Sequence, residues 1–292
     1  KQNIDDLNIL VDYTINRHYP EIKLSKNKAL DLLNLVMERQ CQLVVDWMRV
    51  GFIHGVMNTD NTAISGETID YGPCAFMDHY SPKVVFSSID KLGRYSFANQ
   101  APIIKWNLSR FAECLIPLID KNEDTAIKIA TEIIDNFEKI YEVKWLNMMR
   151  DKLGLFGENT NDKELINNLL SWMENNKADY TNTFCYLMNI RINNSEIYND
   201  KSFINWLDVW KKRSLMNNGS KEKQLDIMLN VNPSVIPRNH KVEEALTSAN
   251  DDDLKVMNKL LSVLDKPYGN QKGIEEYQSP SGNKEYQTFC GT

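Results

Sequence analysis

Between Asn27 and Val50 the apolar residues Leu30, Leu33, Val36, Met37, Leu43, Val44 and Trp47 recur at roughly helical spacing, which predicts one buried helix face. The pattern stops at Gly51 and gives way to a short apolar run, Phe52-Ile53-His54-Gly55-Val56-Met57, then a polar loop from Asn58 to Asn61. Ala63-Ile64-Ser65-Gly66-Glu67-Thr68-Ile69 reads as a short hairpin arm turning at Ser65-Gly66. Asp70-Tyr71-Gly72-Pro73 breaks any regular element, because adjacent Gly and Pro favour a turn. Residues 80–102 are polar and aromatic with little periodicity, which predicts a long ordered loop of the kind that carries function. Helical spacing returns at Trp106 and predicts helices over 125–153, 163–174 and 242–264, with Asp124 as the first N-cap. From Pro267 onward Gly, Pro, Asn and Gln predict an extended tail. The expected fold is mainly α, a helical lobe with a small β-hairpin at the chemical site.

Composition narrows the function classes. The 292 residues carry a formal net charge of −6, so the chain lacks the clustered Lys and Arg of a nucleic-acid footprint. No run of about eighteen apolar residues is present, so no membrane span is expected. Five cysteines, Cys41, Cys74, Cys114, Cys185 and Cys290, are widely spaced and form no CxxC pair, which argues against a zinc site and a disulfide framework. A reducing, cytoplasmic setting is the expectation. The chain opens on Lys1 with no basic-then-apolar leader, and it is read as starting inside a longer natural chain.

The informative segment is His54-Gly55-Val56-Met57-Asn58-Thr59-Asp60-Asn61, followed by Asp70-Tyr71-Gly72. An amide oxygen and a carboxylate at the two ends of a short arm are hard ligands, suited to Mg²⁺ that also binds nucleotide phosphates. Protein kinases place a metal-binding Asn seven positions after the His of H-R-D-L-x-x-x-N and a second metal ligand at the Asp of D-F-G. Asn61 and Asp70 occupy those positions, with Gly72 at the Gly. The kinase base falls two positions after the His, where this chain has Val56, which cannot accept a proton. The metal grip is kept and the usual base is lost, the pattern of a pseudokinase. An isolated D-x-G is common by chance; the whole string is far more specific. Asp251-Asp252-Asp253 reads as the solvated start of a helix, where acidic groups are favourable. His54 reads as a buttress of the loop rather than a base.

These runs, with Thr68-Ile69 and Pro73 extending the second, resemble the signature of the selenoprotein O family. Gly93-Arg94-Tyr95-Ser96-Phe97-Ala98-Asn99-Gln100, Trp106-Asn107-Leu108, Lys152-Leu153-Gly154-Leu155, Asp179-Tyr180-Thr181, Asn232-Pro233, Arg238-Asn239, Pro267-Tyr268 and the ending Thr288-Phe289-Cys290-Gly291-Thr292 are similar to it as well. The resemblance implies a kinase-like C-terminal lobe over 1–266 with its catalytic and metal-binding segment at 54–73, a tail over 267–292, and a nucleotide-clasping N-terminal lobe outside this chain. It implies a protein adenylyltransferase that moves AMP from ATP to Ser, Thr or Tyr hydroxyls of proteins, the fragment alone being inactive. Asp60 matches the family's proton acceptor, and Asn61 and Asp70 match its ligands for Mg²⁺ (Mn²⁺ as the alternative) and nucleotide. It also associates a C-terminal cysteine, here Cys290, with redox control; the partner position in some relatives is Phe86 here, and unpaired thiols are the simpler expectation. An inert pseudokinase scaffold and an ordinary phosphotransferase are the alternatives.

Overall fold

The computed structural model describes residues 3–190, 195–216, 220–282 and 286–289. These are mainly helical with one two-stranded antiparallel sheet, as expected for the fold class. The chain divides into two compact units built from interleaved segments. The first takes Lys1–Asp46, Val56–Tyr71 and Asn99–Lys144; the second takes Trp47–Gly55, Gly72–Ala98 and Trp145–Thr292.

The first unit is built on α1 (Ile4–His18), most of α2 (Lys28–Val50), α3 (Gln100–Ile119) and α4 (Glu123–Asp135). The Asn27 side chain accepts from Leu30 N at 3.1 Å and so caps the start of α2. Leu33, Val36, Met37, Cys41, Val44 and Val45 then line its buried face, the stripe that the periodicity predicts. α3 begins at Gln100, earlier than the spacing around Trp106 indicates, and packs on Ala126, Ala130 and Ile134 of α4. The N-cap of α4 is Asn122, whose side chain accepts from Thr125 N at 2.9 Å; Asp124 sits instead in the first turn. The helix expected over 125–153 is two, α4 and α5 (Phe137–Lys152). Asn136 closes α4 with a tight bond to Ile133 O (3.1 Å), and Phe137 turns into the core.

The second unit holds β1 (Phe52–Ile53) paired with β2 (Ala75–Phe76), then α6 (Asp162–Asn176), α7 (Tyr180–Leu187), α8 (Lys201–Ser214), α9 (Lys221–Val231), α10 (Asn239–Asn250), α11 (Lys255–Leu264) and the short α12 (Glu275–Gln278). Two buried ionic clusters organise it. Asp162, fully buried, accepts from Arg150 Nε at 2.7 Å and Arg213 Nε at 2.6 Å. Arg238, 1% exposed, bridges Asp78 at 2.7 Å and Asp179 at 2.6 Å, and Asp179 also caps α7 through Asn182 N. Two runs of the family signature thus meet in one ion cluster.

The helix expected over 242–264 breaks at 251–254, where Asp252 adopts φ +60°. Asp253 accepts from Lys255 N at 3.0 Å, so the acidic triplet does stand at a helix start. Residues 80–96 form the ordered loop foreseen, held by the Asp90 carboxylate on Arg94 N (2.8 Å) and Tyr95 N (2.7 Å). In the tail, Thr288 N donates to Phe86 O at 2.8 Å and its hydroxyl to Pro73 O at 2.7 Å. Cys290 lies outside the described residues.

Candidate active site

Within the second unit, the lead-in to the His54 segment is fixed from both sides. α2 ends at Gly51, whose φ of +74° suits glycine, and Gly51 O accepts from Met77 N at 2.8 Å. Two terminal carbonyls of α2 are capped by buried side chains: Tyr180 Oη donates to Met48 O at 3.0 Å, and Lys152 Nζ to Arg49 O at 2.7 Å. Lys152 is fully buried, with its ammonium 3.8 Å from the centre of the Phe184 ring. Burial, with the nearby Arg49 charge, pushes its pKa well below the usual lysine value. Sequence reasoning missed this role; the available signal was a lysine on the Met148-Met149 apolar face of α5.

After Gly51, Phe52 pairs with Phe76 and Ile53 with Ala75. Asn239 clamps β2 with both ends of its amide, accepting from Phe76 N at 3.1 Å and donating to Phe76 O at 2.9 Å. His54 is completely buried beside the Trp47 and Phe52 rings, a buttress as expected. Gly55 has φ +88°, and a Cβ there would stand 2.5 Å from Pro73 O. The two ends of the chemical segment are therefore closed together where only glycine fits.

The first unit contains all three predicted site residues, Asp60, Asn61 and Asp70. Thr59–Asn61 form a single 3-10 turn: Asn61 N donates to Asn58 O at 3.0 Å and Thr62 N to Thr59 O at 3.3 Å. Asn107 of α3, 4% exposed, anchors this turn by donating from Nδ2 to Met57 O at 2.9 Å and to Thr62 Oγ1 at 3.1 Å. Asn107 belongs to one of the signature runs, but its role could not be read from them.

The hairpin arm expected over 63–69 does not form. The chain turns at Ile64 to Gly66, yet its carbonyls are taken by helix side chains instead of a facing strand. Gln40 Nε2 donates to Ala63 O, Tyr19 Oη to Ile64 O, and Arg39 to Ser65 O. With three consecutive acceptors engaged in this way, no ladder is left to build; the strands that do pair are β1 and β2.

Asp60 and Asp70 are exposed, and neither carboxylate makes a hydrogen bond or ion pair with another described residue. Asp70 holds φ +56°, a conformation uncommon outside glycine and typical of constrained functional positions. The Asn61 amide donates from Nδ2 to Val56 O at 3.1 Å, which leaves Oδ1 as its free end. A free amide oxygen and an unpaired carboxylate are each hard donors of the kind Mg²⁺ takes. Among the described residues no group of three or more His, Cys, Asp or Glu could hold a metal. A cation bound here would take its remaining ligands from phosphate and water, as Mg²⁺ does at nucleotide sites.

Comparison with known proteins places the chain in a family. Residues 1–265 match the family model described as protein adenylyltransferase SelO, and the chain belongs to that family. It is 63% identical over its whole length to a protein of Pelagibacter ubique called protein nucleotidyltransferase YdiU, covering 61% of that protein. Proteins of the same name from Alcanivorax borkumensis and Bacillus cereus are 51% and 50% identical over 97% and 99% of the chain. The chain spans about three fifths of the length of these relatives, covering 59% and 60% of the latter two. No helix among the described residues is long and apolar enough to cross a membrane.

Proposed function

We propose that the protein carrying this chain is an AMP transferase acting on protein hydroxyls, and that residues 1–266 serve as its kinase-like C-terminal lobe. ATP is the co-substrate; Ser, Thr or Tyr side chains are the acceptors. In this reading Asp60 takes the proton from the attacking hydroxyl, a role for which an exposed, unpaired carboxylate is suited. Asn61 Oδ1 and Asp70 hold Mg²⁺ against the nucleotide. When bound, the metal offsets negative charge that develops on the transferred phosphoryl group. Asn107 and the Val56 carbonyl position the turn, so that Asp60 and Asn61 are presented without reorganisation at the moment of reaction.

The observation that carries this reading is the pairing of a valine at the ordinary base position with a rigid turn offering Asp60 and Asn61 four and five residues later. Relatives named nucleotidyltransferases support it. An ordinary phosphotransferase could use the same exposed Asp60, so the transferred phosphate separates the two readings. The test of the ligand roles is Mg²⁺-dependent binding of a fluorescent ATP analogue to the whole protein. Asp70→Ala should weaken binding at least about tenfold, the scale of losing one charged ligand contact. Asp60→Ala should leave binding within about twofold and abolish transfer. Unchanged binding in Asp70→Ala would refute the metal assignment.

A further inference from the structure

In the first unit the stretch from Thr62 to Ile69 joins Asn61 to Asp70. With no strand to pair with, such a stretch stays ordered only where other groups engage and restrain its backbone. Three side chains do so. Tyr19, which closes α1 and is fully buried, donates from Oη to Ile64 O at 2.5 Å. Arg39 of α2 donates from Nη1 to Ser65 O at 3.4 Å and from Nη2 to His18 O at 2.9 Å. Its guanidinium lies 4.0 Å from the centre of the Tyr19 ring. Gln40, 1% exposed, takes Ala63 O. The turn also backs directly on α2, since a Cβ at Gly66 would stand 2.8 Å from Arg39 Cβ.

These contacts interlock. Arg39 ties the end of α1 to the turn through two arms of one planar fork. The same guanidinium covers the ring whose hydroxyl holds Ile64, so loss of either side chain slackens the other. On the near side, Asn107 holds Met57 O and Thr62 Oγ1, so the backbone is pinned on both sides of Asn61. Only Gly66 to Ile69 then lie between the last pinned carbonyl and Asp70. The shorter the free stretch, the fewer the arrangements that a ligand binding at both ends must select from.

We propose that Tyr19, Arg39 and Gln40 are positioning residues for the metal, holding the connection between Asn61 and Asp70 on its course before Mg²⁺ and nucleotide arrive. This rests on the reading that Asn61 and Asp70 hold Mg²⁺. The gain is one of population: a connection free to wander is competent part of the time, and apparent affinity falls by that fraction. The three side chains act through backbone carbonyls and touch neither metal nor substrate in this scheme.

The test uses the whole protein and a fluorescent ATP analogue whose binding is titrated with Mg²⁺, beside backbone amide exchange over residues 62–70 measured without metal or nucleotide. Tyr19→Phe keeps the ring beside the guanidinium and removes only the hydroxyl; Arg39→Lys keeps the charge and removes the fork. Ala130→Gly, at a buried position of α4, controls for lost stability alone. Each brace variant should speed exchange over 62–70 and raise the Mg²⁺ concentration for half-maximal binding about threefold, the scale of one hydrogen bond. The double variant should raise it about tenfold. Saturating Mg²⁺ should bring nucleotide affinity back to within about twofold of wild type, and Ala130→Gly should move neither reading by more than about twofold. Unchanged exchange in the double variant overturns the brace. Faster exchange with an unchanged Mg²⁺ requirement overturns the positioning role. Asp70→Ala separates that failure from failure of the metal reading: if it weakens binding where the brace variants do not, the positioning role alone is wrong. If Asp70→Ala also leaves binding unchanged, the ligand assignment is wrong and the positioning role falls with it.

Discussion

Replacing Gly55 by alanine isolates the close approach that shuts the chemical segment. Gly55 has φ +88° with Pro73 O 2.5 Å from the place of a Cβ; Gly269 has nearly the same backbone angle, φ +84°, with nothing within 4 Å. Both substitutions impose a left-handed backbone on alanine, costing about 1–2 kcal/mol, and both gain about 0.4–1 kcal/mol by restricting the unfolded chain. These contributions cancel in the comparison. What remains at Gly55 is a backbone carbonyl that must retreat by roughly half an ångström or more, in a segment also held by Thr288, an overpacking strain of about 1–3 kcal/mol. Gly55→Ala should therefore be less stable than Gly269→Ala by about 1–3 kcal/mol, measured as a difference in urea unfolding midpoints at constant slope. It should also lose transfer activity more severely than stability. Equal destabilisation of the two variants would refute the claim that contact with Pro73 dictates glycine at position 55.

Three further outcomes are expected. Asp162→Asn leaves Arg150 and Arg213 without their shared buried carboxylate and should cost about 3–5 kcal/mol in urea unfolding. Although burial opposes ionisation, the two arginines hold the Asp162 pKa below its usual value, so its contribution persists above the normal carboxylate range and is lost as pH falls through the lowered pKa; the gap between wild type and variant should shrink in acid. Lys152→Met removes a base whose folded pKa is lowered, so wild type should gain on the variant as pH rises from that lowered value towards about 10.4, the unfolded lysine value, in parallel unfolding titrations. Asn107→Leu unties Met57 O and Thr62 Oγ1 and should cost about 1–3 kcal/mol for each acceptor left buried, with the transfer rate falling more than nucleotide affinity in steady-state kinetics.

Much of this arrangement was legible in the sequence where one residue's own chemistry decides the structure. The stop of α2 follows from Gly51 and its positive φ, and the buried face of α2 from simple periodicity. Asn61 and Asp70 stand out because their spacing repeats a kinase metal grip, and Asp60 because the family resemblance puts the proton acceptor there. The remainder depends on partners distant in sequence. The 63–69 segment looks like a hairpin arm until Gln40, Arg39 and Tyr19 take its carbonyls. Nothing in the run Met148 to Leu153 says that the Lys152 ammonium crosses to Arg49 O. The helix breaks at Asn136 and Asp252 fall inside patterns whose period continues through them, because capping geometry decides there and hydrophobicity does not.

The central claim concerns which phosphate moves and on which residues that depends. The whole protein is incubated with Mg²⁺ and ATP labelled at either the α or the γ position, and label is followed into protein, with Asp60→Ala and Asp70→Ala in parallel. The account predicts incorporation from α-labelled ATP alone, lost in both variants; incorporation from γ-labelled ATP, or α-label transfer that survives Asp70→Ala, would contradict it.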